Sequence, residues 1–183
     1  MSRIAALTGG TGFLGRHVAA ALAARGWRIR MLARRMPDLP ELDAHEIDLI
    51  PGDLSEPAPL ARLCHGADVV VHMAGLVKAR GEAEFMAANA DGVAALGRAW
   101  AHEAPDARFI LVSSMAARAP HLSAYAASKR AGEDRLAAIA AGMTAADRLI
   151  LRPSAIYGAH DLESLKVLKL ADAPVQLMLN AAE

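Results

Sequence analysis

The chain has 183 residues, 20 basic and 20 acidic, and no formal net charge at neutral pH, with 54% apolar and 22% charged residues. That is room for one full hydrophobic core, and it lacks the clustered basic surface by which a protein grips nucleic acid through counterion release. One cysteine, Cys64, excludes an intrachain disulfide, and no stretch reaches the ~18 apolar residues of a membrane span, so neither nucleic acid nor membrane is expected as a partner.

Short β-like runs alternate with longer helical patterns along the chain. Ile4–Thr8 is an apolar run bounded by Gly9 and Gly10. From Phe13 to Arg25 the spacing is helical, with Phe13, Leu14, Val18, Ala21 and Leu22 on one face and Gly26 as the stop. Arg28–Leu32 alternates as a second strand, residues 37–40 read as loop, and Glu46–Ile50 reads as a third strand. Pro57–Cys64 is a short helix ending on a cysteine whose simplest role is that of a small buried apolar residue. Asp68–His72 is strongly β-branched, as a parallel strand buried on both faces should be. Glu82–Ala104 reads as one long alanine-rich helix stopped by Pro105; Arg108–Ser113 is a fifth strand, Ala124–Ala141 another long helix, and Arg148–Arg152 a sixth strand. Leu165–Ala171 and Pro174–Leu179 follow. Such alternation means parallel strands joined by crossover helices, hence an α/β fold with a doubly wound parallel sheet.

The segment Thr8-Gly9-Gly10-Thr11-Gly12-Phe13-Leu14-Gly15 places glycines at 9, 12 and 15 directly between the first strand and the first helix. A dinucleotide-binding (Rossmann) turn needs this pattern: a tight turn, bare backbone that can approach a pyrophosphate, and close packing of helix on strand. The helix N-terminus adds unpaired N–H groups and partial positive charge. Gly9, Thr11, Gly12, Phe13, Leu14 and Gly15 are therefore expected to hold the phosphates. Where NAD binders place a ribose-binding acid at the end of the second strand, this chain has Ala33, followed by Arg34 and Arg35. Two guanidinium groups suit a 2′-phosphate, so NADP is expected, with NAD the alternative. Asp53 and Leu54 follow the third strand at the carboxyl edge of the sheet; Asp53 could accept from an adenine amino group or cap the next helix.

Tyr125 and Lys129 stand four apart at the start of a helix, so phenol and ammonium share one face. Free tyrosine, with a pKa of ~10, is a poor base at neutral pH, and a neighbouring cation favours the phenolate. Ser113 and Ser114 end the fifth strand at the same edge, where a hydroxyl can bond a substrate oxygen.

Together these motifs resemble the short-chain dehydrogenase/reductase superfamily, in its extended branch, the NAD-dependent epimerase/dehydratase family. Thr8–Gly15 is similar to its TGxxGxxG, His72-Met73-Ala74-Gly75 to its HxAG, Tyr125–Lys129 to its YxxxK, and Leu151-Arg152-Pro153-Ser154-Ala155-Ile156-Tyr157-Gly158 to its LRPxxxYG. The resemblance implies that Tyr125 is the acid/base in hydride transfer at a carbinol or carbonyl carbon. It implies further that Lys129 assists Tyr125 and binds the nicotinamide ribose, and that Ser114, rather than Ser113, orients the substrate oxygen. Ala74, Gly75, Asn89, Pro153 and Ile156 would complete the coenzyme site, while His72 would be structural. The implied substrate is a small carbonyl or alcohol, or a nucleotide sugar, and the implied assembly is a homodimer formed through the two long helices; the single cysteine and the lack of an apolar signal segment make a cytoplasmic setting the expectation. The alternative is an NADP-binding module without catalysis. Extended members continue well past Gly158, so residues 1–160 are expected to form the coenzyme domain. Residues 161–183 are then the remnant of a truncated substrate-binding portion, most of which is absent. The run after Ser114, Met115-Ala116-Ala117-Arg118, departs from the family's usual turn and leaves a sugar-nucleotide substrate open.

Overall fold

The computed structural model describes residues 3–35, 47–143 and 147–161, with residues 165, 166 and 169. The expected loop at 37–40 and the segment Pro174–Leu179 lie outside the described residues, as does most of Leu165–Ala171. The strands are β1 (Ile4–Thr8), β2 (Arg28–Ala33), β3 (Ile47–Pro51), β4 (Val69–His72), β5 (Arg108–Val112) and β6 (Arg148–Leu151). All pair in parallel, in the order β3-β2-β1-β4-β5-β6. The order reverses between β1 and β4, and in sheets of this kind the crevice at that reversal takes the ligand. Thr8 and His72, the last residues of the two strands, are register partners there.

The helices divide between the two faces as the apolar periodicities require. Helix α1 (Phe13–Ala23) covers one face, where Ala19 packs with Leu7, Ile29, Met31 and Val71. Helices α2 (Pro57–Cys64), α4 (Gly92–Glu103) and α5 (Ala124–Ala141) cover the other, over a core that includes Leu60, Leu96, Trp100, Phe109, Leu111 and Leu136. Trp100 is fully buried against Phe109, and its Nε1–H donates to Ala107 O at 2.8 Å, so its polar edge is satisfied. Cys64 is buried in the same core, and burial pushes its thiol up to about 12.

Element positions agree with the sequence reading to within two residues, with one difference of kind. The expected single helix Glu82–Ala104 is α3 (Glu82–Met86), then a π-helical turn over Ala87–Asp91, then α4. A π turn adds one residue to a helical circuit and so re-aims the side chains within it; such turns concentrate at functional positions. Here the re-aimed residue is Asn89, which is buried.

Candidate active site

The site is built outward from the turn between β1 and α1. Gly9 sits at φ +71°, and a Cβ there would lie 2.5 Å from Ala74 N, so the turn lies directly against the loop after β4. A Cβ on Gly15 would run into Gly9 O and the Gly10 backbone, so glycine is required for α1 to start this close to the turn. Among the described residues no side chain caps the N-terminus of α1, and no acidic residue occupies its first turn. Its leading amides thus face the crevice, free to take an anion. This bare cradle fits a dinucleotide pyrophosphate. Phe13 packs its ring edge-on to His17, at 5.6 Å between centroids.

Two clefts open at this edge of the sheet. The first, of about 500 Å³, is lined by Gly9, Thr11, Arg34, Arg35, Asp53, Leu54 and Ala74, with Ala33 where a ribose-binding acid was sought. Arg34 and Arg35 are exposed. Asp53 takes both Ser55 N (2.8 Å) and Ser55 Oγ (2.5 Å) on Oδ1, forming a turn ahead of α2, whose N-cap is Glu56. Those two bonds, and the charge of Arg34, hold its carboxyl below the usual range. Asp53 thus spends Oδ1 on the turn ahead of α2, and Glu56 Oε1 accepts from Asp53 N at 3.1 Å.

The second cleft, of about 300 Å³, brings together Leu14, Gly75, Ser114, Tyr125, Lys129, Pro153 and Ile156. Helix α5 supplies Tyr125 and Lys129 from its first turns, and Ser123 starts that helix by accepting from Ala126 N at 3.1 Å. Tyr125 is half-buried, its ring edge-on to Phe85 at 5.8 Å. Lys129 is 8% exposed, and its Nζ donates to Val112 O at 2.9 Å. Burial draws the Lys129 ammonium below the usual lysine range, and the nearby Glu133 opposes that shift. Ser114 Oγ accepts from Ala116 N at 3.2 Å, which leaves its own proton to donate into the cleft. Ser113 differs: it is buried, and its hydroxyl donates to Glu133 Oε1 at 2.5 Å.

Asn89 lies behind this cleft, with its amide fully engaged. Oδ1 accepts from Leu76 N at 2.8 Å, while Nδ2 donates to Leu76 O at 2.9 Å and to Ser128 Oγ at 3.0 Å. It therefore pins the loop after β4 to α5. A Cβ placed on Gly75 would come within 2.7 Å of Asn89 Oδ1 and 3.8 Å of Lys129 Nζ, which shows how tightly loop, π turn and α5 converge. His72 is buried on the same side, hydrogen-bonded through Nδ1 to Thr8 Oγ1 at 2.6 Å, and Nε2 has no partner among the described residues. Burial, and then the Lys129 charge, push the imidazole down to about 3, so it is neutral at physiological pH. It joins two strand ends, in keeping with a structural role.

Sequence reasoning named Arg152 only within the sixth strand and the Leu151–Gly158 motif, gave it no role, and passed over Glu133. Glu133 accepts from Arg152 Nε at 2.9 Å and from Arg152 NH2 at 2.5 Å, as well as from Ser113. The available signal was a carboxylate four residues beyond Lys129 on the same helix face.

A family model described as NAD dependent epimerase/dehydratase matches residues 5–173. The chain belongs to that family. This NAD dependent epimerase/dehydratase family member is 52% identical over 170 residues to the ceramide reductase of Caulobacter vibrioides, a match covering 92% of this chain and 51% of the relative. It is 34% identical over 173 residues to the 4-hydroxy-2-methyl-3-oxo-4-farnesyl-3,4-dihydroquinoline-1-oxide ketoreductase of Stigmatella aurantiaca, covering 85% of this chain and 51% of that one. Among solved structures, the UDP-glucuronic acid 4-epimerase of Bacillus cereus, in complex with NAD, superposes with a TM-score of 0.72 at 21% identity, over 85% of this chain and 58% of that one. WbmH of Bordetella bronchiseptica, in complex with NAD+, gives 0.72 at 23%, over 86% and 57%. These structural likenesses show the shared fold. The family member spans about half the length of the curated relatives it matches. No helix among the described residues is long and apolar enough to cross a membrane, and no cluster of His, Cys, Asp and Glu among them could hold a metal ion.

Proposed function

We propose that the chain carries the coenzyme-binding and proton-transferring machinery of an NADP(H)-dependent reductase, acting on a ketone borne by a long apolar chain. One observation carries this reading: Ser114, Tyr125 and Lys129 line a single cleft of about 300 Å³ whose other walls include Leu14 of the glycine turn, Gly75, and Pro153 and Ile156 after β6. When bound, NADPH supplies a hydride to the carbonyl carbon. The Tyr125 hydroxyl gives its proton to the carbonyl oxygen, completing the alcohol. Ser114 donates a hydrogen bond to that oxygen and holds it within reach of the phenol. The Lys129 ammonium, anchored by one N–H on Val112 O, favours the phenolate left after transfer and offers its remaining donors to a ribose hydroxyl.

The choice of NADP rests on Arg34 and Arg35 lining the adenosine-side cleft beside Ala33. The choice of reduction rests on the activities of the two relatives, ceramide reductase and a farnesyl-quinoline ketoreductase, whose names both point to long apolar groups. Val77 and Ile156, which line the cleft, are both exposed, as a mouth for an apolar chain requires. The names of solved neighbours favour a nucleotide sugar instead, at 22% identity for one bound to UDP-glucuronic acid. A cytoplasmic setting and a homodimer through the long helices belong to the same proposal.

The test is NADPH oxidation with an oxo-ceramide, with other long-chain ketones and with nucleotide sugars. The ketones are expected to turn over, and Tyr125→Phe should lower kcat by about 10²–10⁴-fold while NADPH affinity stays within about twofold. Retained turnover in Tyr125→Phe would remove the proposed chemistry. NADPH binding with no turnover of any carbonyl would leave a coenzyme-binding module.

A further inference from the structure

Glu133 is 3% exposed, one helical turn beyond Lys129 and two beyond Tyr125. Its carboxylate is shared between two neighbouring strands. Oε1 accepts from Ser113 Oγ at 2.5 Å and from Arg152 Nε at 2.9 Å; Oε2 accepts from Arg152 NH2 at 2.5 Å. Each partner stands next to a residue of the cleft. Ser113 precedes Ser114 at the end of β5, and Arg152 precedes Pro153 at the end of β6. The backbone ties the same two ends together, Ser113 N to Leu151 O at 2.8 Å and Met115 N to Pro153 O at 3.0 Å.

We propose that Glu133 is a positioning residue for the proton-transfer site: its buried carboxylate locks the ends of β5 and β6 onto α5, and so sets where Ser114, Lys129 and Tyr125 stand. The inference rests on the reading of Tyr125 and Lys129 as the proton-transfer pair. A two-pronged bond from a guanidinium fixes the carboxylate in plane as well as in distance, so α5 cannot roll on the sheet without breaking it. Lys129 makes a second polar tie one turn away, through Nζ to Val112 O. Two ties on one helix face fix rotation and height together, and Tyr125, one turn nearer the helix start, takes its place from them.

An apolar residue could fill the same space and hold the helix. It could not act on the charge of Lys129. The charged or titratable groups acting on that ammonium are Glu133 on α5 and His72 from β4, which is neutral, while Tyr125 lines the same cleft. Those facing Glu133 are Ser113 just after β5, Arg152 just after β6, and Lys129 and Arg130 on its own helix. Burial alone would raise the Glu133 carboxyl, but the Arg152 and Ser113 hydrogen bonds and the charges of Arg152 and Arg130 outweigh it and keep it ionised. Glu133 is thus a fixed anion one turn from a buried cation, tempered by Arg152. Removing Glu133 and removing Arg152 should therefore move Lys129 in opposite directions.

The chain contains four lysines, Lys78, Lys129, Lys166 and Lys169, few enough to follow singly by NMR with ¹³C-labelled lysine. Wild type, Glu133→Gln and Arg152→Gln are titrated toward high pH, with Lys129→Met assigning the signal. Lys129 should titrate about one pH unit lower in Glu133→Gln, a tenfold loss of proton affinity, and higher than wild type in Arg152→Gln. The alkaline limb of kcat should follow in each variant, with NADPH affinity within about threefold. A Lys129 titration that stays put in both variants, with melting temperature alone affected, overturns the inference. If Glu133→Gln does not fold, Arg152→Gln decides alone: an upward move supports the role and no move refutes it. Because the titration needs no turnover, shifted signals in a protein that reduces nothing would keep the positioning role and reject the reductase reading.

Discussion

Replacing Gly12 or Gly15 by alanine separates a coenzyme turn from an ordinary strand-to-helix connection, because the two added methyl groups meet different surroundings. On Gly15 the methyl would collide with Gly9 O and the Gly10 backbone, none of which can move without opening the turn. Overpacking of this kind typically costs about 1–3 kcal/mol, and for a domain of this size each kcal/mol lowers the melting temperature by roughly 2–4 °C. Gly15→Ala should therefore melt roughly 2–12 °C lower and bind NADPH poorly as well. On Gly12 the methyl would meet Gly9 O at 3.4 Å, and its other sides are open. The fold should tolerate it, with a melting temperature within about 2 °C of wild type. The methyl would, however, stand where a pyrophosphate approaches the uncapped start of α1, and losing one amide bond to a charged group costs about 1.5–3 kcal/mol. Tight binding should then fall by roughly 10- to 150-fold. Fluorescence titration with NADPH and a thermal melt of both variants are sufficient. Wild-type affinity in Gly12→Ala would refute the assignment of this turn to the phosphates.

Two further outcomes are expected. Arg34→Ala with Arg35→Ala should weaken NADPH by roughly tenfold or more while NADH changes by less than about twofold, measured by the same titration; tighter binding of NADH to wild type would refute the role given to this pair. His72 makes the fold sensitive to acid, because its folded pKa of about 3 lies below the ordinary 6.5. Between those values the unfolded chain binds the extra proton, so stability falls as pH drops through the window and levels off beneath it. At pH ~4.5, two units below 6.5, the loss from this group is about 2–3 kcal/mol. Urea unfolding at pH ~7 and ~4.5 should show His72→Gln losing less than wild type by that amount; equal losses would refute the burial argument.

Most of the fold was legible because strand and helix leave different periods. Val69–Val71 reads as a strand buried on both faces and is one; α1 ends at Ala23, short of Gly26, and α4 ends at Glu103, short of Pro105. The π turn was not legible. With alanine on every face of residues 82–104, one inserted residue leaves no trace in the apolar spacing, and only the aim of Asn89 reveals it. The two clefts were readable as a set of motifs, since glycine turn, Tyr125 and Lys129 each carry local spacing. Glu133, Ser113 and Arg152 come from three elements and meet only when the sheet closes, so no window of sequence contains them. The same holds for His72, whose partnership with Thr8 depends on the register of β1 against β4.

The engagement of Asn89 with both backbone groups of Leu76 divides the segment after β4 into two parts with separate freedoms. Up to Leu76 the chain is anchored from beneath, and its course is set by the coenzyme side. From Val77 onward that anchor does not act. On the proposed reading, insertions or replacements over Val77–Arg80 would reshape what enters the cleft without disturbing what binds below it, which makes this short stretch the natural place to alter substrate preference while retaining the coenzyme scaffold.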